Sequence, residues 1–470
     1  MDYISTRGQA PALPFDEVLL TGLARDGGLY LPSAWPRFSP EEIRGFARLS
    51  YPALAGRVLA PFVEGVIPGP RLAEILEEAY AGFGHAAVAP LKQLDRQLWL
   101  QELFHGPTLA FKDYALQVVG RLFDEVLAAR GGSRKITIVG ATSGDTGSAA
   151  IEACRDRERV EIFILHPKGR VTEVQRRQMT TVDSANVHNL AIEGSFDECQ
   201  DLVKAMFNDP AFREETALTG VNSINCARIL GQIVYYFAAA AALGAPERRL
   251  SFAVPTGNFG NVYAGYAARQ MGLPVERLIV ASNVNDILTR FFESGAMAID
   301  EVRATFSPSM DIQISSNFER LLYDLLGQDG RAVAETLTRF RASGRFELER
   351  AAWQASLELF SAYRLDDAGT LAAIERIHRT TGELLDPHSA IGVAAAEARL
   401  GEIEGPVVAL ATAHPAKFPD AVERASGVRP QLPPRLADLY EREERLRVLP
   451  NDLAAVQEAI RRTRDLRGAA

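Results

Sequence analysis

Short apolar runs alternate with amphipathic stretches between Lys135 and Asp209, and this alternation constrains the chain more than any other feature. KITIVG, EIFILHP and NVHNLAIEG read as buried strands, whereas DTGSAAIEACRDR, VTEVQRRQMTTV and FDECQDLVKAMFND read as helices. Strands separated by helices of this length build βαβ crossovers and therefore a parallel sheet. The alternation returns after residue 220, where INCARILGQIVYYFAAAAAL and FGNVYAGYAARQMG are helix-like and LSFAVP and RLIVASN are strand-like. The fold class expected is α/β, with two open twisted α/β sheets.

A chain of 470 residues is longer than one core usually serves. The expected division has four parts: an N-terminal, mostly helical domain over 1–92; a large α/β domain over 93–115 plus 216–430; a small α/β domain over 116–215; and a helical tail over 431–470. LKQLDRQLWLQELF alternates apolar and polar residues as a pair of strands would. The tail reads as two amphipathic helices split at Pro450.

The formal net charge of −9 argues against a nucleic-acid partner, and no apolar run is long enough for a membrane span. Cys154, Cys199 and Cys226 fit neither a disulfide framework nor a metal motif. The N-terminus lacks a signal-peptide pattern. The expectation is a cytoplasmic chain without a metal, a monomer or weak homo-oligomer, acting on a small molecule.

Ligands of open α/β sheets bind beyond the carboxyl ends of the strands, where two glycine-rich turns stand here. GATSGDTGSAA (140–150) follows KITIVG and opens a helix. Its backbone N–H groups and the hydroxyls of Thr142, Ser143 and Thr146 suit a carboxylate or phosphate. PTGNFGN (255–261) follows SFAV and opens another helix, with Gly257 and Gly260 free to adopt positive φ. Each turn alone is equally what a structural strand–helix junction looks like. Neither carries a P-loop or dinucleotide signature. Lys112, in ELFHGPTLAFKDYALQ, follows Leu109, Ala110 and Phe111. An apolar setting lowers a lysine pKa and supplies the neutral amine that Schiff-base chemistry needs, although a surface lysine at a helix start reads the same way.

HGPTLAFKD, GATSGDTGSAA and GNFGN occur in this order with YISTRG (3–8), SSNFERL (315–321), LDPHSAIG (385–392) and ATAHPAKF (411–418). Together they resemble threonine synthase of the fold-type II class of pyridoxal-phosphate (PLP) enzymes, which is tryptophan synthase β-like, and specifically its longer bacterial and fungal subgroup. The resemblance implies that Lys112 carries PLP as a Schiff base and acts as the catalytic base. It implies that Gly257, Asn258, Phe259, Gly260 and Asn261 hold the cofactor phosphate, that Thr412 bonds the pyridine nitrogen and that Asp145 lies near the phenolic oxygen, where a carboxylate needs a protonated partner or a cation. Thr142, Ser143, Gly144 and Thr146 would hold the substrate carboxylate. For the substrate phosphate the candidates are Ser143, Lys168, Arg170, Ser223, Asn225 and Arg228. The implied reaction converts O-phosphohomoserine and water to L-threonine and phosphate by γ-elimination and β-addition. His388 and His414 read as buried, hydrogen-bonded histidines, His105 as a shaper of the lysine loop, and Trp99, Phe104 and Phe111 as core. A threonine or serine dehydratase would carry SxK where LAFKD stands. A phospho-lyase would release a keto acid from the same substrate, and a non-catalytic binding module would hold no cofactor on Lys112.

Overall fold

The computed structural model describes residues 1–131, 135–220 and 224–468. The chain forms two compact units. The first comprises Met1–Leu19, Leu23–Ala115 and Ser223–Gln431; the second comprises Leu20–Gly22, Leu116–Asn222 and Leu432–Ala470.

In the first unit a six-stranded sheet runs in the order Phe360–Arg364, Val275–Ser282, Leu250–Pro255, Val407–Ala411, Leu98–Glu102, Leu91–Gln93. Every pairing is parallel except the last, so LKQ and LWLQE do form the expected pair of strands, which run antiparallel. Leu250–Pro255 and Val407–Ala411 are buried at every position, as strands covered on both faces must be. On one face Leu98, Leu100, Ala253, Ile279 and Ala409 pack with Ile391, Val393 and Ala395 of the helix Pro387–Glu397. The helix Cys226–Ala242 sets Tyr236 against Phe252 of the central strand, ring centroids 4.8 Å apart in an edge-on pair.

The N-terminal segment contains helices at Pro40–Phe46, Tyr51–Val63 and Gly69–Tyr80, and also a small antiparallel sheet in the order Leu13–Pro14, Asp2–Ser5, Tyr30–Pro32. Ser39 and Glu42 cap the first of these helices reciprocally. Phe46 and Phe38 meet Phe237 edge-on, joining this segment to the helix Cys226–Ala242.

The second unit holds a five-stranded, wholly parallel sheet in the order Arg447–Pro450, Val187–Glu193, Val160–Pro167, Ile136–Ala141, Leu218–Thr219. All eight positions of Val160–Pro167 are buried, which explains its unbroken apolar character. The tail departs from its expected form of two helices. Arg447–Pro450 is a strand that extends the sheet beside Val187–Glu193, and one helix, Leu453–Gly468, follows. Proline lacks an N–H, and Pro450 ends a strand at the sheet edge, where that loss is tolerated. Val456 and Ile460 of the helix pack into the core beside Phe163, Leu190 and Phe212. Among the described residues no helix is long and apolar enough to cross a membrane.

Candidate functional site

The lysine loop is held by a second stretch of chain some three hundred residues away. Leu103 N–H donates to the Ala411 carbonyl at 2.9 Å, Phe111 N–H to the Thr412 carbonyl at 2.9 Å, and His414 N–H to the Leu109 carbonyl at 3.0 Å. Between these bonds Thr108 N–H and Oγ1 donate to the Asp113 carboxylate at 2.8 and 2.7 Å. Lys417 Nζ donates to the Thr108 carbonyl at 2.7 Å. Burial pushes the Asp113 carboxyl up to about 6, against the opposing pull of Thr108 and Lys417. A Cβ on Gly106 would stand 2.4 Å from the Asp113 side chain, so only glycine fits the turn. Leu109 takes a left-handed φ of 63°. Lys112 then opens the helix Lys112–Ala129 at 9% exposure, with Nζ 5.2 Å from the centroid of the Phe111 ring. Phe111, Phe104 and Trp99, expected as core, are only half-buried.

Thr412 is held from behind. Its N–H donates to Ser389 Oγ at 3.0 Å, and Ser389 Oγ donates to the Asp386 carboxylate. His388 Nδ1 lies 2.8 Å from the same carboxylate, while its Nε2 accepts from Ser309 N–H at 3.3 Å. The ring proton therefore sits on Nδ1, facing Asp386. His388 is a buried, hydrogen-bonded histidine.

The turn 255–261 follows the strand Leu250–Pro255 and opens the helix Gly260–Gln270. Phe259 N–H donates to Thr256 Oγ1 at 3.1 Å, Ser315 Oγ to the Gly257 carbonyl at 2.8 Å, and Asn317 N–H to the Asn258 carbonyl at 3.1 Å. Phe259 holds a left-handed φ of 63° because its ring is anchored among Phe292, Phe318 and Phe360. A Cβ on Gly257 would lie 2.9 Å from Ile312 Cδ1 and 3.1 Å from Met310 Cα. Asn258 is exposed. Asn261 Oδ1 accepts from the hydroxyls of Tyr235 at 2.6 Å and Tyr236 at 3.0 Å, and its Nδ2 is buried without a partner among the described residues.

These three pieces leave the same end of one sheet. Leu250–Pro255 and Val407–Ala411 are adjacent parallel strands whose carboxyl ends lead into the 257–261 turn and Thr412, and Leu98–Glu102, the next strand, leads toward Lys112. The other glycine-rich turn belongs to the second unit, at the carboxyl end of Ile136–Ala141. There Thr142 Oγ1 accepts from the N–H groups of Gly144 at 3.0 Å and Gly147 at 2.9 Å. Gly144 has a φ of 144°, and a Cβ on it would stand 2.4 Å from the Gln175 amide. Gln175 Nε2 in turn donates to Asp145 Oδ1 at 2.8 Å, an amide partner that the sequence did not suggest. Ser143 and Thr146 are half-buried.

The substrate-phosphate candidates separate. Asn225 caps the helix Cys226–Ala242: its Oδ1 accepts from Ala227 N–H at 3.0 Å and its Nδ2 donates to the Leu19 carbonyl at 2.8 Å. Both ends of the amide are hydrogen-bonded within the fold. Lys168 and Arg170 are exposed, and Lys168 Nζ lies 3.1 Å from Glu193. Arg228 is buried, and desolvation pulls its guanidinium down to about 10. Ser223 lies outside the described residues.

Comparison with known proteins decides the family. The pattern described as "Threonine synthase N terminus" matches residues 2–80, "Pyridoxal-phosphate dependent enzyme" matches 84–339, and "Threonine synthase, C-terminal" matches 389–460. A threonine synthase of Pseudomonas aeruginosa is 58% identical over 97% of each chain. The chain belongs to the threonine synthase family. The crystal structure of PLP-bound threonine synthase from Brucella melitensis superposes with a TM-score of 0.96 at 54% identity, covering 98% of this chain and 99% of that one. The yeast threonine synthase structure gives 0.93 at 39%, covering 98% of each. Membership of the family makes the chain a PLP-dependent enzyme of fold-type II.

The residues present fit that cofactor. A PLP molecule brings an aldehyde, a phosphate ester and a pyridine nitrogen. At one sheet end this chain offers a buried lysine, a helix N-terminus lined by glycines where a Cβ would intrude, and a buried amide nitrogen with no acceptor among the described residues. Sequence reading missed Asp113, Gln175, Ser315, Asn317, Ser389 and Lys417. Most lie inside the quoted family-like stretches, where polar residues set among apolar ones were the available signal.

Proposed function

We propose that the chain converts O-phosphohomoserine and water to L-threonine and phosphate. The observation that carries this reading is the placement of Lys112, mostly buried, at the same sheet end as the glycine-lined 257–261 turn. When bound there, PLP supplies an electron sink for the carbon that loses a proton. Lys112 holds the cofactor until substrate arrives, and its released amine then takes the proton from the substrate Cα. The same amine moves the Cβ proton as phosphate leaves Cγ, and a proton returned to Cγ readies Cβ for water. A lysine suits this because its four-carbon arm reaches adjacent carbons.

The turn Gly257, Asn258, Phe259, Gly260 and Asn261 binds the cofactor phosphate through backbone N–H groups and amides. Thr412 meets the pyridine nitrogen with a hydroxyl, which leaves that nitrogen unprotonated. Thr142, Ser143, Gly144 and Thr146 would hold the substrate carboxylate, and Asp145, hydrogen-bonded by Gln175, would be the partner of the phenolic oxygen. Arg228 serves the substrate phosphate. Its guanidinium is buried, and desolvation lowers its pKa. Three buried free thiols suit a reducing cytoplasm, where the enzyme acts as a monomer or weak homo-oligomer. The four-part domain division is supported where the chain leaves the first compact unit after Ala115.

The test adds O-phosphohomoserine to the purified yellow protein. Threonine plus phosphate is the expected product pair. A keto acid plus phosphate would identify a phospho-lyase instead, and a colourless protein inert to PLP would remove the catalytic reading.

A further inference from the structure

The side-chain amide of Asn317 presents an unused donor to the N-terminus of the helix Gly260–Gln270. Asn317 is fully buried at 0% exposure. Its backbone N–H is spent on the Asn258 carbonyl. Its Oδ1 accepts from Arg320 Nη1. A guanidinium carries donors only, so the amide atom turned toward it must be the oxygen, and the nitrogen end must face the other way. That nitrogen, Nδ2, has no hydrogen-bond partner among the described residues, and it lies 3.3 Å from where a Cβ on Gly260 would stand. Gly260 is the first residue of the helix and has no side chain to fill this space.

Arg320 is as unusual as the amide that it orients. It too is fully buried, and burial lowers its pKa. Among the described residues its hydrogen bonds go to Asn317 Oδ1 and to the carbonyls of Ile224 at 2.6 Å and Tyr30 at 3.4 Å. The Glu319 carboxylate offsets part of the cost of burial from a distance, yet each of these hydrogen bonds goes to a neutral group, and a buried cation so bonded gains from a further anion. A buried N–H without an acceptor carries a penalty of the same sign. One ligand relieves both: an anionic oxygen beside Gly260.

We infer that Asn317 is a further donor to the cofactor phosphate, and that Arg320 is the positioning residue that fixes the direction of its amide and adds positive potential behind it. The inference rests on the assignment of the phosphate to the 257–261 turn. The neighbouring Ser315–Gly257 and Asn317–Asn258 bonds hold the donor and the turn in fixed register.

The test compares binding of PLP and of pyridoxal, which lacks the phosphate, to apoenzyme by absorbance titration. Asn317→Ala is expected to weaken PLP by about tenfold and leave pyridoxal unchanged. Asn317→Asp keeps an oxygen for Arg320, and so keeps the fold, but sets a carboxylate against the phosphate. Its loss of PLP affinity is expected to exceed that of the alanine variant, again with pyridoxal unchanged. Equal losses for both ligands, or no loss for PLP in either variant, would overturn the role of Asn317. Gly260→Ala, which crowds the turn itself, separates the premise from the inference: unchanged PLP affinity there would show that the phosphate sits elsewhere.

Discussion

Phe111 N–H donates to the Thr412 carbonyl oxygen at 2.9 Å. Through this bond the residue preceding Lys112, the proposed cofactor lysine, is tied to the residue proposed to meet the far side of the cofactor ring. The tie passes through backbone only, so replacing the lysine side chain leaves it intact. Lys112→Ala is therefore expected to abolish threonine formation and borohydride trapping of PLP while the melting temperature stays within a few degrees of wild type. Retained turnover in that variant would remove the proposed base.

Asp113 supplies a pH dependence with a defined sign. Its carboxyl moves from the ordinary 3.8 to about 6 in the folded chain, chiefly through burial. Between those values the folded chain holds a proton that the unfolded chain has lost, so stability falls as the pH rises through that window. Asp113→Asn is expected to lose stability overall, because the Thr108 bonds are disrupted. It should also flatten the change in unfolding free energy between pH 4 and 6 by about 2 kcal/mol. Urea denaturation at several pH values checks this, and parallel curves for the two proteins would contradict it.

Asn225 caps a helix in this structure, and its substitution reports on that job. Asn225→Ala removes the cap and the bond to Leu19, a loss of about 1–3 kcal/mol in unfolding free energy. The KM for O-phosphohomoserine is expected to stay near wild type. A large rise in KM with unchanged stability would restore the residue to the substrate site.

The two asparagines of the cofactor turn are predicted to behave differently. Asn258 is exposed, so Asn258→Ala should weaken PLP retention at little cost in stability. Asn261→Ala should weaken retention and also lower unfolding free energy by about 1–3 kcal/mol, because the Tyr235 and Tyr236 hydroxyls lose their acceptor. Cofactor occupancy after dialysis and thermal melts of the apoenzyme measure the two effects separately.

Much of this molecule is legible from local sequence. The parallel strands from Ile136 and from Leu250, the helices that follow them, the two glycine turns and the place of Lys112 at a helix start all come from patterns within about a dozen residues. Spacing of that kind is set by the geometry of single elements, which the chain carries wherever it goes. The tail shows the limit. RLRVLP looked like a break between helices, yet Arg447–Pro450 is a strand only because Val187–Glu193 offers it an edge.

The site divides in the same way. The family-like motifs along the chain grouped Lys112, the 257–261 turn and Thr412 as candidates for one chemistry. Only the folded chain decided that Lys417 would reach Thr108, that Asn225 would be committed to Leu19, and that Arg320 would turn the amide of Asn317 toward Gly260. Each of those outcomes is a choice among many possible hydrogen-bond partners. A polar side chain makes that choice when burial removes water as the alternative, and burial is a property of the packed structure.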